Sequence, residues 1–420
     1  MFAPQDALPL PALPNLDQYK KLAKELARAA NSADPSALRA WITHWIESLA
    51  KLSNLILTPQ LPVRLEHWID QLDRFALAEK SGTKLTLTKS QFILARAHGF
   101  ESWTKFAGHV ESLSRANTPT SNFEQAADAI ITGDLETLAA LLRKNPKLIH
   151  TRSTRQHRAT LLHYIAANGV EGYRQKTPPN SVEIAKLLLA AGADVNATAD
   201  IYGGGATTLA LVATSIHPEQ AGLQESLLDL LLHYGASLDA DVINAALANG
   251  RIRAAEFLAT RGAPLDLESA AGFGRINEVK KYFDQKGTLA ANASKAELDR
   301  GFLWAAEYGR NEVLEFLLRH GADLDAEANT GQTALHWAVI GAQVETINLL
   351  LAHGANLETK NSYGGTALGQ AIWSAAHANR QKEEEDYVAV IKTLIKSGAH
   401  IDDDSRKWLS ARLRLTQPCE

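Results

Sequence analysis

Two hydrophobic rhythms divide the chain. Between Asp17 and Leu113, apolar residues recur three and four apart over long runs, as amphipathic helices require. Tyr19, Leu22, Leu26 and Ala30 make the first stripe. Asp34 as N-cap and Pro35 at the first helical position restart the chain, and Leu38, Trp41, Ile42, Trp45, Ile46 and Leu49 share the next face. Pro59 and Pro62 bracket a third start, which carries Leu65, Trp68, Ile69, Leu72 and Phe75. Thr88 is placed to cap a fourth helix ending near Gly99, and Glu101 to Leu113 reads as a fifth. The tryptophans at 41, 45, 68 and 103 suit either a core or a ligand-stacking surface, and their helical spacing favours the core.

From Phe123 the stripes shorten into pairs of helices, the first closed by Asn145-Pro146 and the later ones by a glycine. Gly192, Gly235, Gly262, Gly287, Gly321, Gly354 and Gly398 mark the rhythm. Gly287 to Gly321 is 34 residues and Gly321 to Gly354 is 33. Gly235 to Gly262 is 27 and Gly262 to Gly287 is 25, so two units are compressed and join by tight turns. Gly192 to Gly235 is 43 and Gly354 to Gly398 is 44, so those units carry extra residues. A period of this size is the mark of stacked repeats, in which each unit buries its apolar face against the next.

Residues 330–361 show the unit at its clearest: TGQTALHWAVIGAQVETINLLLAHGANLETKN. This resembles one ankyrin repeat, whose pattern is G-x-T-P-L-H-x-A…L-L-x-x-G-A-x-x-N, with Ala334 where the family usually has proline. Thr160-Leu161-Leu162-His163 and Thr207-Thr208-Leu209-Ala210 open two further units, and Thr366 another. The resemblance implies an all-α ankyrin-repeat solenoid of helix-turn-helix units with short β-fingers, preceded by a small helical domain. The expected map is an extended, proline-rich leader (1–16), a helical N-terminal domain (17–116) and a linker (117–122). An array of about eight units (123–403) follows, then a C-terminal cap or tail (404–420). Residues 85–113 are similar to a small helical module found ahead of ankyrin repeats in bacterial proteins, through Ser90-Gln91-Phe92, Ala95-Arg96 and Gly99-Phe100-Glu101-Ser102-Trp103. No activity follows from that likeness.

The family uses its concave face to bind other proteins, so the resemblance implies a protein partner and a scaffolding role. Carried onto this sequence, the finger positions are Asn329, Thr330, Gln332, Ser362 and Tyr363, with Gln156 and His157 in an earlier unit. The outward positions near the ends of first helices are Glu307, Tyr308, Ile340 and Trp373. Tyr308, Tyr363 and Trp373 together make an aromatic patch of the sort that anchors interfaces, unless Trp373 packs into the last repeat. The signature histidines, His163 and His336, are implied to hydrogen-bond neighbouring loop backbone and to be structural.

Extra residues between paired helices supply an alternative. Glu171–Asn180 and Ile216–Gly222 belong to adjacent units and are expected side by side. Loops held by a rigid array are a common place for function, although insertions there are also cheap. A small-molecule or catalytic site on them would use Tyr173, Arg174, His217 and Glu219, with Tyr202 on the nearby glycine-rich finger. Arg152, Arg155, His157, Arg158, Arg174 and Lys176 cluster around the first full repeat and suit an acidic partner, a phosphate or simple solvation. The charged run at Lys382–Asp386, in the insertion Ala378–Asp386, reads as a solvated face.

Composition narrows the field. There are 47 acidic and 43 basic residues, a net charge of −4, which points to neither nucleic acid nor an acidic membrane surface. No apolar run reaches the roughly 18–20 residues that span a bilayer. The N-terminus lacks the basic and apolar regions of a signal peptide. Cys419 is the single cysteine, so no intrachain disulfide or CxxC metal site exists. A cytoplasmic location is expected, with no cofactor and no metal. No phosphate-binding loop, zinc-protease helix motif or nucleophile elbow is present. Gly272-Phe273-Gly274 is a fragment of a dinucleotide fingerprint with no strand before it, and reads as a turn.

Overall fold

The structure is a computed structural model; it describes residues 4–11, 13–52, 61–80, 82, 84–115, 117–377 and 381–413. These form two compact units. One comprises Met1–Leu238 with Asn249–Phe257, the other Asp239–Ala248 with Leu258–Glu420.

The first unit opens with five long helices: Leu16–Ala30, Ala37–Leu52, Leu61–Lys80, Leu87–Ala97 and Trp103–Leu113. Their stripes meet in a core around Leu26, Ile42, Ile46, Leu72 and Ile93. Trp45 and Trp68 are buried in it and Trp41 stacks on Trp45, so the tryptophans serve packing. Thr86, not Thr88, caps the fourth helix, its hydroxyl accepting from Lys89 N.

The expected leader is not a free extension. Pro4–Asp6 forms a 3-10 turn, and Ala7 and Leu8 are buried. Leu8 N donates to Ala97 O at 2.8 Å, and Leu8 O lies 3.1 Å from His98 Nδ1. The last carbonyls of a helix lack intrahelical partners, and this strap supplies one. The expected linker 117–122 is also corrected. Thr118 caps and Pro119 starts a helix that runs to Thr132, with Ser121 and Asn122 buried. A polar run with one proline is equally the signature of a helix start.

Three repeat pairs follow in this unit: Pro119–Thr132 with Leu135–Lys144, Leu161–Ala166 with Ser181–Ala190, and Thr208–Thr214 with Gln224–His233. Their fingers are narrow. Arg152 bridges Thr160, and Thr198–Ala199 pairs antiparallel with Ala206–Thr207. His163 ties one finger to the next: Nδ1 lies 2.8 Å from Thr160 Oγ1, and Nε2 lies 3.3 Å from Ala206 O.

The second unit stacks Lys295–Glu307 with Asn311–Arg319, Ala334–Ile340 with Val344–Ala352, and Ala367–Ala376 with Gln381–Lys396, closed by Asp403–Leu413. One core runs through Phe302, Leu314, Leu335, Ile347, Leu368 and Ile391. His336 repeats the finger tie, with Nδ1 3.0 Å from Thr333 Oγ1 and Nε2 3.2 Å from Gly365 O. Gly354, at φ 92°, ends its helix in the left-handed region, and Ala355 N closes on Leu350 O at 3.0 Å. Gly287 does not play that part. It sits in a tight turn, donating to Asp284 O at 2.9 Å, while Phe283 bridges Leu289. Lys382–Asp386 lies on the first turns of Gln381–Lys396, whereas residues 378–380 and Cys419 lie outside the described residues.

Candidate partner-binding groove

The groove is built in the second unit on the helix Ala367–Ala376. Leu368, Ala371 and Ala375 turn one stripe into the core. Gln370, Trp373, Ser374 and His377 form a second stripe at the same helical spacing and line an open groove of about 810 Å³. Trp373 is 59% exposed and stacks on His377, ring centroids 4.3 Å apart.

The facing wall is a finger whose shape is fixed from within. Asn361 is buried, and its Oδ1 accepts from Tyr363 N and Gly365 N, each at 3.0 Å. Gly364 takes φ 79° at the tip, where a side chain would strain the turn. Tyr363 is left projecting, 81% exposed. Gln332 and Ile340 complete that side, and Tyr387 closes the end with its hydroxyl donating to Ile340 O at 2.7 Å.

Of the residues expected at an interface, the structure brings Gln332, Ile340, Tyr363 and Trp373 together. Asn329 and Ser362 are exposed on the fingers, and Ser362 N donates to Thr330 O at 2.9 Å, outside the groove lining. Two expectations are corrected. Tyr308 is half-buried, with its hydroxyl donating to Leu247 O at 2.6 Å, so it leaves the aromatic patch. Glu307 is buried, and desolvation pushes its carboxyl up to about 8. Gln370, His377 and Tyr387 were not anticipated as groove residues. For the first two the signal was present, since they lie three and four residues from Trp373.

The residues of the alternative site on the insertions are largely tied into the chain. Arg174 is buried, with Nη1 donating to Glu124 Oε2 at 2.7 Å and Nε to Asp128 Oδ1 at 2.9 Å. Arg155, 1% exposed, places Nε 2.5 Å from Glu171 Oε1, donates from Nη1 to His98 O at 2.8 Å and from Nη2 to Tyr173 OH at 3.2 Å. His157, expected on the surface, is buried 3.4 Å from Glu171. Burial opposes ionisation of Glu171, but Arg155, His157 and Arg174 outweigh it and hold the carboxyl well below the usual range. Glu219 instead pairs with Arg251. Burial, and then Arg64, lower the pKa of His217. Tyr202 stays exposed and donates to Asn168 Oδ1 at 2.6 Å. Tyr173, Arg174, Glu219 and Tyr202 each engage a partner within the chain.

Comparison with known proteins now bears on the repeats. A model described as ankyrin repeat matches residues 157–200, and one for three ankyrin repeats matches 302–405. Over those residues the chain carries ankyrin repeats. Its fold is the all-α helix-turn-helix stack with short fingers that this family implies. Among solved structures, the human ASB11 ankyrin repeat domain is similar at 23% identity, over 63% of this chain and 96% of that one, with a TM-score of 0.32. No curated protein matches the chain. Ankyrin repeats are generally protein–protein interaction modules. Among the described residues no helix is long and apolar enough to cross a membrane, and no cluster of metal-binding side chains occurs.

Proposed function

We propose that this ankyrin-repeat protein is a scaffold that holds a partner protein in the groove between Tyr363 and Trp373. The observation that carries the reading is the pair itself. A soluble repeat gains no stability from holding a tryptophan and a tyrosine in water, yet Asn361 and Gly364 fix the finger that presents one of them. The groove lining sets Ile340, Tyr363 and Trp373 beside the amides of Gln332 and Gln370, which suits an apolar anchor side chain flanked by polypeptide hydrogen bonds. Affinity capture with Tyr363→Ala/Trp373→Ala, set against the unaltered chain, tests it. A partner retained by the parent and lost by the double variant supports the reading, and equal capture removes it.

A further inference from the structure

A second cavity, of about 400 Å³, lies in the first unit, where Trp103–Leu113 and the first turn of Pro119–Thr132 meet the loop 153–158. Its chemistry is the reverse of the groove's. Lys105, Arg155 and Arg158 line it against one carboxylate, Glu101. Arg155 is committed to Glu171 and Tyr173, and Lys105 pairs with Glu101. The Arg158 guanidinium makes no hydrogen bond among the described residues, so the mouth keeps a surplus of positive charge.

Two features shape the wall. Gly108 stands in mid-helix, where glycine is a poorer helix former than alanine. A Cβ there would meet nothing within 4 Å, so packing does not require the glycine; its absence of side chain opens the cavity. His109 is 2% exposed; its Nδ1 lies 2.7 Å from Thr154 Oγ1, and its Nε2 has no hydrogen-bond partner. Buried polar atoms are rarely left so without a reason. Thr120, the second residue of a 14-residue helix, adds a hydroxyl and an amide from the helix's positive end.

We propose that this cavity binds a small organic phosphate. Lys105 and Arg158 take its charge, Thr120 and Thr154 give hydrogen bonds, and the organic part lies over Gly108. The Arg158 guanidinium, with Lys105 shared between Glu101 and the cavity, suits a phosphate beside a helix N-terminus, and the volume suits a small molecule. The inference concerns a different unit from the groove and does not depend on it.

The test uses the full chain, with titration calorimetry and thermal melting at constant ionic strength in chloride. Glycerol 3-phosphate, inorganic phosphate, malonate and glycerol are the probes. Glycerol 3-phosphate is expected to release or absorb heat and to raise the melting temperature, while glycerol does neither. Arg158→Gly weakens it by about tenfold or more, as loss of a charged hydrogen bond does. Arg158 has φ 53°, a conformation glycine adopts freely, so this variant folds. Gly108→Leu fills the cavity from a better helix former; it abolishes binding without lowering the ligand-free melting temperature. No response to either phosphate, malonate bound as tightly as the phosphates, or an affinity unchanged in both variants overturns the proposal.

Discussion

The surface beside the first helix of a repeat meets opposite fates in the two units. After Leu161–Ala166 it carries Glu171, Tyr173 and Arg174, and it is closed over. A Cβ built at Gly172 would collide with Gln5 O, so the N-terminal strap lies directly on it. In the second unit the face of Ala367–Ala376 beside its finger stays open, with Trp373 and Tyr363 in water. The difference follows from charge. Once Glu171 and Arg155 leave water they must be paired within the chain, and each pairing ties the insertion to another element. An uncharged aromatic stripe makes no such demand, so it can remain available to another molecule.

The largest effect should therefore come from the closed region. Arg155→Ala leaves Glu171 buried without its nearest cation, and is expected to destabilise the first unit by about 3–5 kcal/mol, read by urea unfolding. Tyr363→Ala/Trp373→Ala should unfold with the parent midpoint, which would confirm that only one of the two regions is structural. The closed cluster also has an acid limit. Burial disfavours the Glu124 carboxylate, but Arg174 and Arg155 prevail and set its pKa at about 2. Its contribution is present above the ordinary carboxylate pKa of about 4.3 and is lost as pH falls toward the folded value.

Glu307 gives the next effect and the opposite sign. Its folded pKa lies at about 8 against an ordinary 4.5, so the folded chain holds the extra proton between them. Stability then falls as pH rises through that window, by roughly 1.4 kcal/mol per pH unit at most. Glu307→Gln should remove that slope in melting curves taken from pH 5 to pH 8. A slope that persists would show that Glu307 is not desolvated.

Much of the fold was legible in the sequence. Thr333 with His336 and the glycine at 354 announce their roles by offset alone, because the repeat gives them one local job. The strap and the insertion were not. Leu8 finds Ala97 and Arg155 finds His98 across large separations, and no local pattern encodes such pairing. The charged residues near the first full repeat looked like a surface because long basic side chains usually are one. The groove was half legible: Tyr363 and Trp373 followed from the repeat register, while Glu307 and Tyr308 in the same register proved internal.

Two smaller changes sharpen the contrast. Trp373→Ala alone should weaken partner binding by about 2 kcal/mol or more, measured with the isolated partner, as an interface anchor does. Gly172→Ala should cost about 1–3 kcal/mol by displacing the strap, seen as faster hydrogen exchange at Leu8.

The most direct measurement is hydroxyl-radical footprinting of the full chain, alone and with its captured partner. Tyr363 and Trp373 should lose reactivity when the partner is bound, while Tyr202 and Ile216, exposed in the first unit, keep theirs. Unchanged labelling of Tyr363 and Trp373 in the complex would contradict the assignment of the groove as the binding surface.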